Sequence, residues 1–583
     1  MSATSSPEPT KVREHLYRVG EQQIGREAPP QPTVTSGDGP PGFPSSIRVD
    51  TITFTDWSQY ISVPDVQIAR VVDADDVVAV CNWAATSGYT VRASGKNHNW
   101  SPLLLAHDTA AGAKVMLVDT AKLDSCSFEN SDGNALATFG PGITLADASA
   151  YLEGLDNGGA VDAPGFAFPQ LPAPGNLTLG GALAIGAHGT VVPLDGSDED
   201  AGMMGCLSNL ITSFEAVVTD PTGTDPDTYA LRRFERTDED AAAFLVHLGR
   251  AFITSVTMVV EPNYYLELTC LFPEVTDLFS APGSTNDSQF ASLLDTYGRV
   301  ELLWFPYNSV SFVQCNKRQA TRIDPQVKGP YNYPWMNDIG PWKNAAIKAA
   351  LQFDPKLTPD FTLGERAIAE LHQKGVVLNG TARDLEIYLE DTTLRVTLFG
   401  WALQIQRGEV QAVAHQFFEQ LSTMLDNARQ AGSYPINAAA EIRCTTVDTS
   451  TGLPWSDAAP AALAVTNSVD PSDASLDTVI WLNVGTITGT PGSNEFYTEL
   501  EAWIIDTWGK DTPNRLRPEW SKAWAYSDAG PWTNTDTLQM IRESFDQSTN
   551  SPYTFDWAAK TLAGYDRANL FRSPLLDSLF ATG

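Results

Sequence analysis

The sequence predicts an α+β protein of two domains, the second built on a large antiparallel sheet. Three observations point there. The chain has 583 residues, and single cores stop growing at roughly 250–300 residues. Up to about Pro262, short apolar runs alternate with helix-like stretches and glycine turns. Beyond it the apolar runs lengthen and read as strands of an antiparallel sheet.

Residues 1–46 are rich in Pro, Ser, Thr, Gly and charge. They read as a loose arm with a helical snippet at 11–24 at most. The first domain is expected over 47–262. Val66–Arg70, Tyr89–Ala93, Val115–Asp119, Ala135–Phe139, Leu210–Val218 and Ile253–Glu261 read as its strands. Asp73–Ser87 reads as a helix, acidic in its first turn and closed by Gly88. Thr144–Glu153 and Asp240–Leu248 read as two more. The second domain is expected over 263–510, with strands at Val300–Trp304, Asp384–Glu390, Thr393–Leu398 and Val479–Val484 and a helix at Glu409–Gln430. Residues 511–583 end in a helical, aromatic-rich segment.

The formal net charge is −34. So acidic a surface repels phosphate backbones and anionic headgroups, which argues against nucleic-acid binding. No apolar run approaches the roughly 18 residues that span a bilayer. The N-terminal stretch is too polar for a signal-peptide core. Six scattered cysteines, Cys81, Cys126, Cys206, Cys270, Cys315 and Cys444, have no CxxC or metal spacing. They read first as buried free thiols, with a disulfide left open.

Four glycine-bearing stretches lie within the first 190 residues: Arg92–His98, Phe139–Gly142, Pro172–Asn176 and Gly180–Gly189. Glycine there lets backbone approach a ligand, and successive N–H groups can cradle a pyrophosphate. None matches G-x-G-x-x-G or a P-loop, so a nucleotide site here is neither Rossmann nor Walker. Each alone reads as a turn. Together and in this order they resemble the FAD domain of the vanillyl-alcohol-oxidase flavoproteins. The run Asn176–Gly189 is similar to that family's signature. Ser208–Val218 and His247–Thr257 resemble the strands that follow it. Tyr565–Phe571 resembles its C-terminal tail, which implies that residues 511–583 return to the FAD domain.

The resemblance implies covalent FAD. The family's flavin histidine follows an Arg-bearing strand, and Arg92-Ala-Ser-Gly-Lys-Asn-His98-Asn-Trp-Ser101 matches that loop. A neutral imidazole nitrogen can attack the flavin's activated methyl carbon, which makes His98 the expected attachment point. The implied cofactor contacts are Arg92, Ser94, Gly95, Lys96, Asn97, Asn99, Ser101, Gly140, Gly142, Pro174, Gly175, Asn176, Gly180, Gly181, Gly186, Gly189, Asn209 and Thr257. His188 belongs to the same signature and is expected to pack near the cofactor rather than react. No metal is implied.

Within that family the chain resembles the cholesterol oxidases that carry covalent FAD, over about residues 43–580. The motifs are Gly298–Pro306, Gly329–Tyr333, Thr392–Arg395, Glu441–Cys444, Val479–Asn483 and Arg517–Trp524. Glu441 and Arg443 alternate on a strand, so both point to one face. The resemblance puts them against flavin and substrate, with Glu301 able to pair with the arginine and gate a channel. It puts Asn483 and Lys522 in the same cavity. Relatives carry an acid where Leu398 falls, and residues 190–205 follow no known pattern.

The implied reaction is hydride transfer from the 3-hydroxyl carbon of a sterol to flavin. Oxygen goes to hydrogen peroxide and the ring double bond shifts to a 4-en-3-one. Such chemistry needs a group for the hydroxyl proton and cations for developing negative charge. Glu441, Arg443 and Lys522 are of those types, and Glu301 could carry the proton of the shift. The implied partners are a sterol and molecular oxygen, for a monomer. Two rivals stay open. One is an oxidase or dehydrogenase of a sugar, alditol or aldonolactone on the same fold. The other is a flavin-binding protein without turnover.

Overall fold

A computed structural model describes residues 35–580, except 38, 132–133, 160–161, 195–204, 220–226, 285, 328, 332–336, 338, 391–392, 451–452, 471, 511, 513–514 and 547–551. The helical snippet at 11–24 and most of the stretch 190–205 lie outside the described residues. So do most of the arm, Thr392, and the Asn332–Tyr333 end of its motif.

Two five-stranded sheets build the first part. One holds β1 (Thr35–Gly37), β2 (Arg48–Thr55), β3 (Ser62–Arg70), β4 (Thr90–Ser94) and β5 (Val115–Asp119), in the order β1-β2-β3-β5-β4. Its β3–β5–β4 part is parallel. The crossover from β3 is the helix Ala74–Ser87, capped by the Asp73 carboxylate on the Asp76 N–H and closed by Gly88 at φ 69°. The second sheet holds β6 (Cys126–Ser131), β7 (Asn134–Phe139), β9 (Ile211–Thr219), β10 (Tyr229–Glu235) and β11 (Phe252–Val259), in the order β10-β9-β11-β7-β6. β8 (Phe166–Ala167), between β7 and β9 in sequence, pairs with β12 (Glu261–Pro262), which follows β11.

The other part is one antiparallel sheet of eight strands. They are β13 (Tyr265–Leu271), β14 (Arg299–Trp304), β15 (Phe312–Gln319), β16 (Val377–Thr381), β17 (Val396–Ile405), β18 (Ala440–Thr446), β19 (Thr478–Ile487) and β20 (Leu516–Pro518). The order is β16-β13-β15-β14-β18-β19-β17-β20. Every residue of β19 is buried, as a strand covered on both faces requires. The protein is α+β, with one large antiparallel sheet.

Two expected elements differ. Asp384–Glu390 is not a strand. Thr381 and Asp384 form a reciprocal capping box that starts a short helix, Ala382–Glu386, before the chain turns extended. The helix expected over Asp240–Leu248 shrinks to Ala241–Phe244, because Leu248 and Gly249 take φ 54° and 84° and turn the chain into β11. All six cysteines are free thiols, and only Cys126 is exposed.

The largest cluster of buried side chains runs from Trp100 to Leu579 and joins both parts. The C-terminal segment divides: Leu516–Pro518 joins the eight-stranded sheet, while the stretch 565–571 lies on the first part. The Val91 N–H donates to the Leu570 carbonyl at 2.9 Å, and the Thr219 N–H to the Tyr565 carbonyl at 2.9 Å. Asp566 is buried there and accepts from the Tyr229 hydroxyl and from the Leu570 and Phe571 N–H groups.

Candidate active site

The site is built on the middle of the eight-stranded sheet. Side chains two apart share a face, and cross-strand register sets Glu301 against Arg443 and Glu441 against Asn483. Arg443 lies 3.3 Å from Glu441 and 3.5 Å from Glu519, and its Nη2 donates to Asn483 Oδ1 at 2.8 Å. Asn483 in turn donates to Glu519 at 2.7 Å. The Lys522 ammonium lies 3.6 Å from Glu519. Two cations and three carboxyl groups, those of Glu301, Glu441 and Glu519, thus share one cluster, a costly arrangement unless the partners are well placed.

One carboxyl in the cluster keeps its proton. Burial pushes Glu301 well above the usual carboxylate range, reinforced by its hydrogen bond with Glu441 and by that group's charge. Burial would raise Glu441 as well, but Arg443 and Lys522 outweigh it and hold Glu441 ionised. Two carboxyls in contact cannot both ionise, so the environment splits them into an acid and a base. The Tyr388 hydroxyl donates to Glu301 Oε2.

Facing the cluster is a cavity of about 310 Å³, lined among others by Trp57, Trp100, Leu103, Ile185, Ile253, Leu389, Leu394, Leu398, Trp481 and Trp520. His98 lines it from the loop after β4. Asn97 takes a left-handed φ of 53°, a conformation Asn tolerates better than most residues. Its side chain accepts from Ser94 Oγ at 3.1 Å, and its carbonyl accepts from the Trp57 N–H at 2.7 Å. That turn stacks the His98 ring on Trp57 with centroids 4.4 Å apart. Burial first, and the Lys522 charge next, lower His98 to about 3, so its imidazole is neutral. The loop is tied to the C-terminal segment: the Trp100 N–H donates to the Ser521 carbonyl at 2.8 Å and Ser101 Oγ to the Trp520 carbonyl at 2.6 Å.

Of the expected cofactor contacts, Arg92, Gly95, Lys96, Asn97, His98, Asn99, Pro174, Gly180, Gly181, Gly186 and His188 line this cavity. Ser94 and Gly142 line an adjoining groove of about 640 Å³ that shares Gly95, Lys96 and Asn97 with it. Gly189 lines a small chamber behind the cluster. Ser101, Gly140, Gly175, Asn176, Asn209 and Thr257 line none of these. Asn209 is engaged with Arg236 and the Thr449 carbonyl, and Thr257 with the Thr138 hydroxyl, so protein groups occupy their polar atoms.

The glycines also divide. A Cβ at Gly142 would meet the Thr120 carbonyl at 1.7 Å, one at Gly140 the Leu123 carbonyl at 2.2 Å, and one at Gly175 Ile387 at 2.3 Å. These three are glycine because loops pack on them. A Cβ at Gly181 would meet only Thr178 Oγ1, at 3.1 Å, so this residue presents bare backbone to the cavity. His188 stacks on Trp481 at 3.7 Å, and burial lowers it to about 4, with Arg443 adding to the effect.

Among the expected catalytic residues, Glu441, Arg443 and Lys522 line the main cavity. Glu301 and Arg443 line the small chamber, so Arg443 stands between the two spaces. Asn483 sits one layer behind, where it bridges Arg443 and Glu519. Sequence reasoning missed Glu519 and Tyr388. The i,i+3 spacing of Glu519 and Lys522 was a usable signal. Tyr388 had none, since its partner Glu301 is far away in sequence.

Residues 66–201 match the family model of an FAD binding domain. Residues 270–581 match the model of the cholesterol oxidase substrate-binding domain, more than half of the chain. The chain belongs to the cholesterol oxidase family. Among solved structures, one titled a solvent-stable cholesterol oxidase is 36% identical, with a TM-score of 0.86 over 93% of this chain and 100% of that one. The cholesterol oxidase from B. sterolicum is 29% identical, with a TM-score of 0.86 over 93% of this chain and 99% of that one. A chitooligosaccharide oxidase, 13% identical with a TM-score of 0.51, shares the fold alone. A search of curated proteins by sequence found no match.

An FAD-binding family member needs bare backbone for the pyrophosphate and a wall for a flat ring. Gly181 supplies the first, and the Trp and Leu side chains of the cavity supply the second. The residues present fit the cofactor. Among the described residues no cluster suits a metal, and no helix is long and apolar enough to cross a membrane.

Proposed function

We propose that this protein is an FAD-dependent oxidase of the 3-hydroxyl of a sterol such as cholesterol, with the flavin joined to His98. The carrying observation is that ionised Glu441, Arg443, Lys522 and a neutral His98 all line one cavity. Membership of the cholesterol oxidase family supports the substrate class. When bound, FAD supplies the two-electron acceptor for the carbinol hydrogen and the place where oxygen is reduced to hydrogen peroxide.

The chain supplies the rest. Glu441 is the carboxylate placed to take the hydroxyl proton. Arg443 and Lys522 hold the negative charge that grows on that oxygen as the proton leaves. Glu301, which keeps a proton in the chamber behind Arg443, can relay it through its hydrogen bond to Glu441. Glu441 faces the cavity and can exchange protons at the ring carbons flanking the double bond, moving it into conjugation with the new ketone. Trp, Leu, Ile and Val side chains around the cavity exclude water and favour a rigid apolar ring system. A sugar would need hydroxyl partners spread over that wall, which Leu, Ile and Trp side chains, Leu398 among them, do not supply.

The test is direct. Purified protein given cholesterol should release hydrogen peroxide and form a steroid whose conjugated enone absorbs in the ultraviolet. Peroxide with glucose or an alditol but none with cholesterol would overturn the sterol reading, and no peroxide with either would overturn the oxidase reading.

A further inference from the structure

We propose that Tyr388 is a positioning residue for Glu301: its hydroxyl marks Oε2 as an accepting oxygen and so leaves the acid proton on the oxygen that serves Glu441. The inference rests on the reading of Glu301 and Glu441 as an acid–base pair.

The backbone around Tyr388 explains why it can do this. Ala382–Glu386 is a short helix, and Ile387 then turns extended at φ −92° and ψ 113°. In an extended segment successive side chains point to opposite sides. Leu389 accordingly lines the main cavity, while Tyr388 and Glu386 line the chamber of about 30 Å³ behind the cluster. The segment is clamped in that orientation. The Tyr388 and Leu389 N–H groups both donate to the Ala173 carbonyl, at 3.0 and 3.1 Å, and Asn337 donates to the Tyr388 carbonyl at 2.7 Å. Gly175 leaves room for Ile387, which a Cβ there would strike at 2.3 Å. Tyr388 is 6% exposed, so no bulk water competes for its hydrogen bond.

The chemistry follows from the two oxygens of one carboxyl. A protonated carboxyl has one O–H donor and one carbonyl-type acceptor. Glu301 donates to the ionised Glu441. A hydroxyl that donates to Oε2 makes that atom the acceptor and the other oxygen the proton carrier. Without it the proton can sit on either oxygen, and the carboxyl can turn toward the chamber, where Arg299 and Glu386 form an ion pair at 2.6 Å.

Tyr388→Phe removes the donor and keeps the ring. In infrared spectra of the holoenzyme, the C=O stretch of protonated Glu301 is the band that Glu301→Gln abolishes. It should shift to higher frequency in Tyr388→Phe, since a hydrogen bond to that carbonyl is gone. A band that stays in place, or the lack of any such band in the wild type, would overturn the proposal. This readout needs no substrate, so it decides about Tyr388 even if cholesterol is not turned over. With cholesterol, Tyr388→Phe should lower the ratio of conjugated to unconjugated ketone about 3- to 10-fold, the loss of one hydrogen bond. In the Glu301→Gln background the same change should leave the ratio unaltered. An equal effect in both backgrounds would show that Tyr388 does not act through Glu301 and would overturn the assignment.

Discussion

Lys522 stands over the face of Trp100, its ammonium 4.0 Å from the ring centroid, while its charge reaches Glu519 at 3.6 Å. One residue of the C-terminal segment thereby touches both the loop that presents His98 and the charged cluster on the sheet. Replacing Lys522 with Met, which keeps the stem and removes the charge, should leave a folded protein with slower turnover. Loss of a cation beside a developing oxyanion corresponds to about 10-fold or more. Steady-state rates with cholesterol, normalised to bound flavin, check this. Unchanged rates would confine Lys522 to packing.

If the flavin is joined to His98 and cradled by the backbone around Gly181, as proposed, His98→Ala should fold and stay yellow but release its flavin on acid precipitation. A denaturing gel viewed under ultraviolet light should show a fluorescent band for the wild type and none for the variant. Flavin that remains with the acid-precipitated variant would place the attachment elsewhere.

Gly142→Val and Gly181→Val should part company. At Gly142 a side chain would drive into the Thr120 carbonyl. The cost there is in folding, with overpacking typically about 1–3 kcal/mol, and is seen as a lower melting temperature. At Gly181, which lines the cavity, a Cβ would meet only the Thr178 hydroxyl, at 3.1 Å, so flavin content should fall with less change in the apoprotein's melting than at Gly142. The reverse pattern would mean that Gly142 meets the cofactor and Gly181 does not.

Arg443→Ala should cut turnover by at least about 10-fold, and Glu441→Gln should slow the reaction while keeping its shape. Arg443 touches Glu441, Asn483 and Glu519, so its loss strands buried carboxylates and should also lower stability. Rates per folded molecule separate the two effects. The double variant should lose far less than the sum of the single losses, as groups acting as a unit do. Normal turnover with a lower melting temperature would reduce the pair to sheet packing.

Acid should weaken the fold through its buried histidines. His247 accepts a hydrogen bond from the Gly249 N–H at 3.1 Å, and burial first, then Arg92, lower it from 6.5 to about 3. The unfolded chain binds its proton near pH 6.5 and the folded one only near 3. The stability from keeping His247 neutral is therefore complete above pH 6.5 and is lost as pH falls toward 3. A melting series from pH 8 to 4 should fall less steeply for His247→Gln than for the wild type. Parallel curves would remove His247 from the acid response.

Much of this was legible in the residues. The helix Ala74–Ser87 follows from Asp73 at its start and Gly88 at its end, both local signals. The pairing of Glu441 with Arg443 follows from strand alternation, a period that needs no partner to be known. The loop around His98 could be read as a motif, because its chemistry lies within ten consecutive residues. Other features depended on chain segments far apart. The strand expected at Asp384–Glu390 became a helix because Thr381 and Asp384 cap one another, and that choice is visible only as geometry. Gly140 and Gly142 looked like ligand glycines, yet the carbonyls of Leu123 and Thr120 are what forbid a side chain there. The amino-acid sequence by itself determined most of the elements, the charged residue types and the turn that carries His98, since these arise from short-range periodicity and local turn chemistry. Tertiary structure alone decided which carboxyl keeps a proton: Glu301 meets Glu441 and Tyr388 across strands and loops about 90 to 140 positions apart, and burial with contact between two carboxyls is what forces one of them to stay neutral.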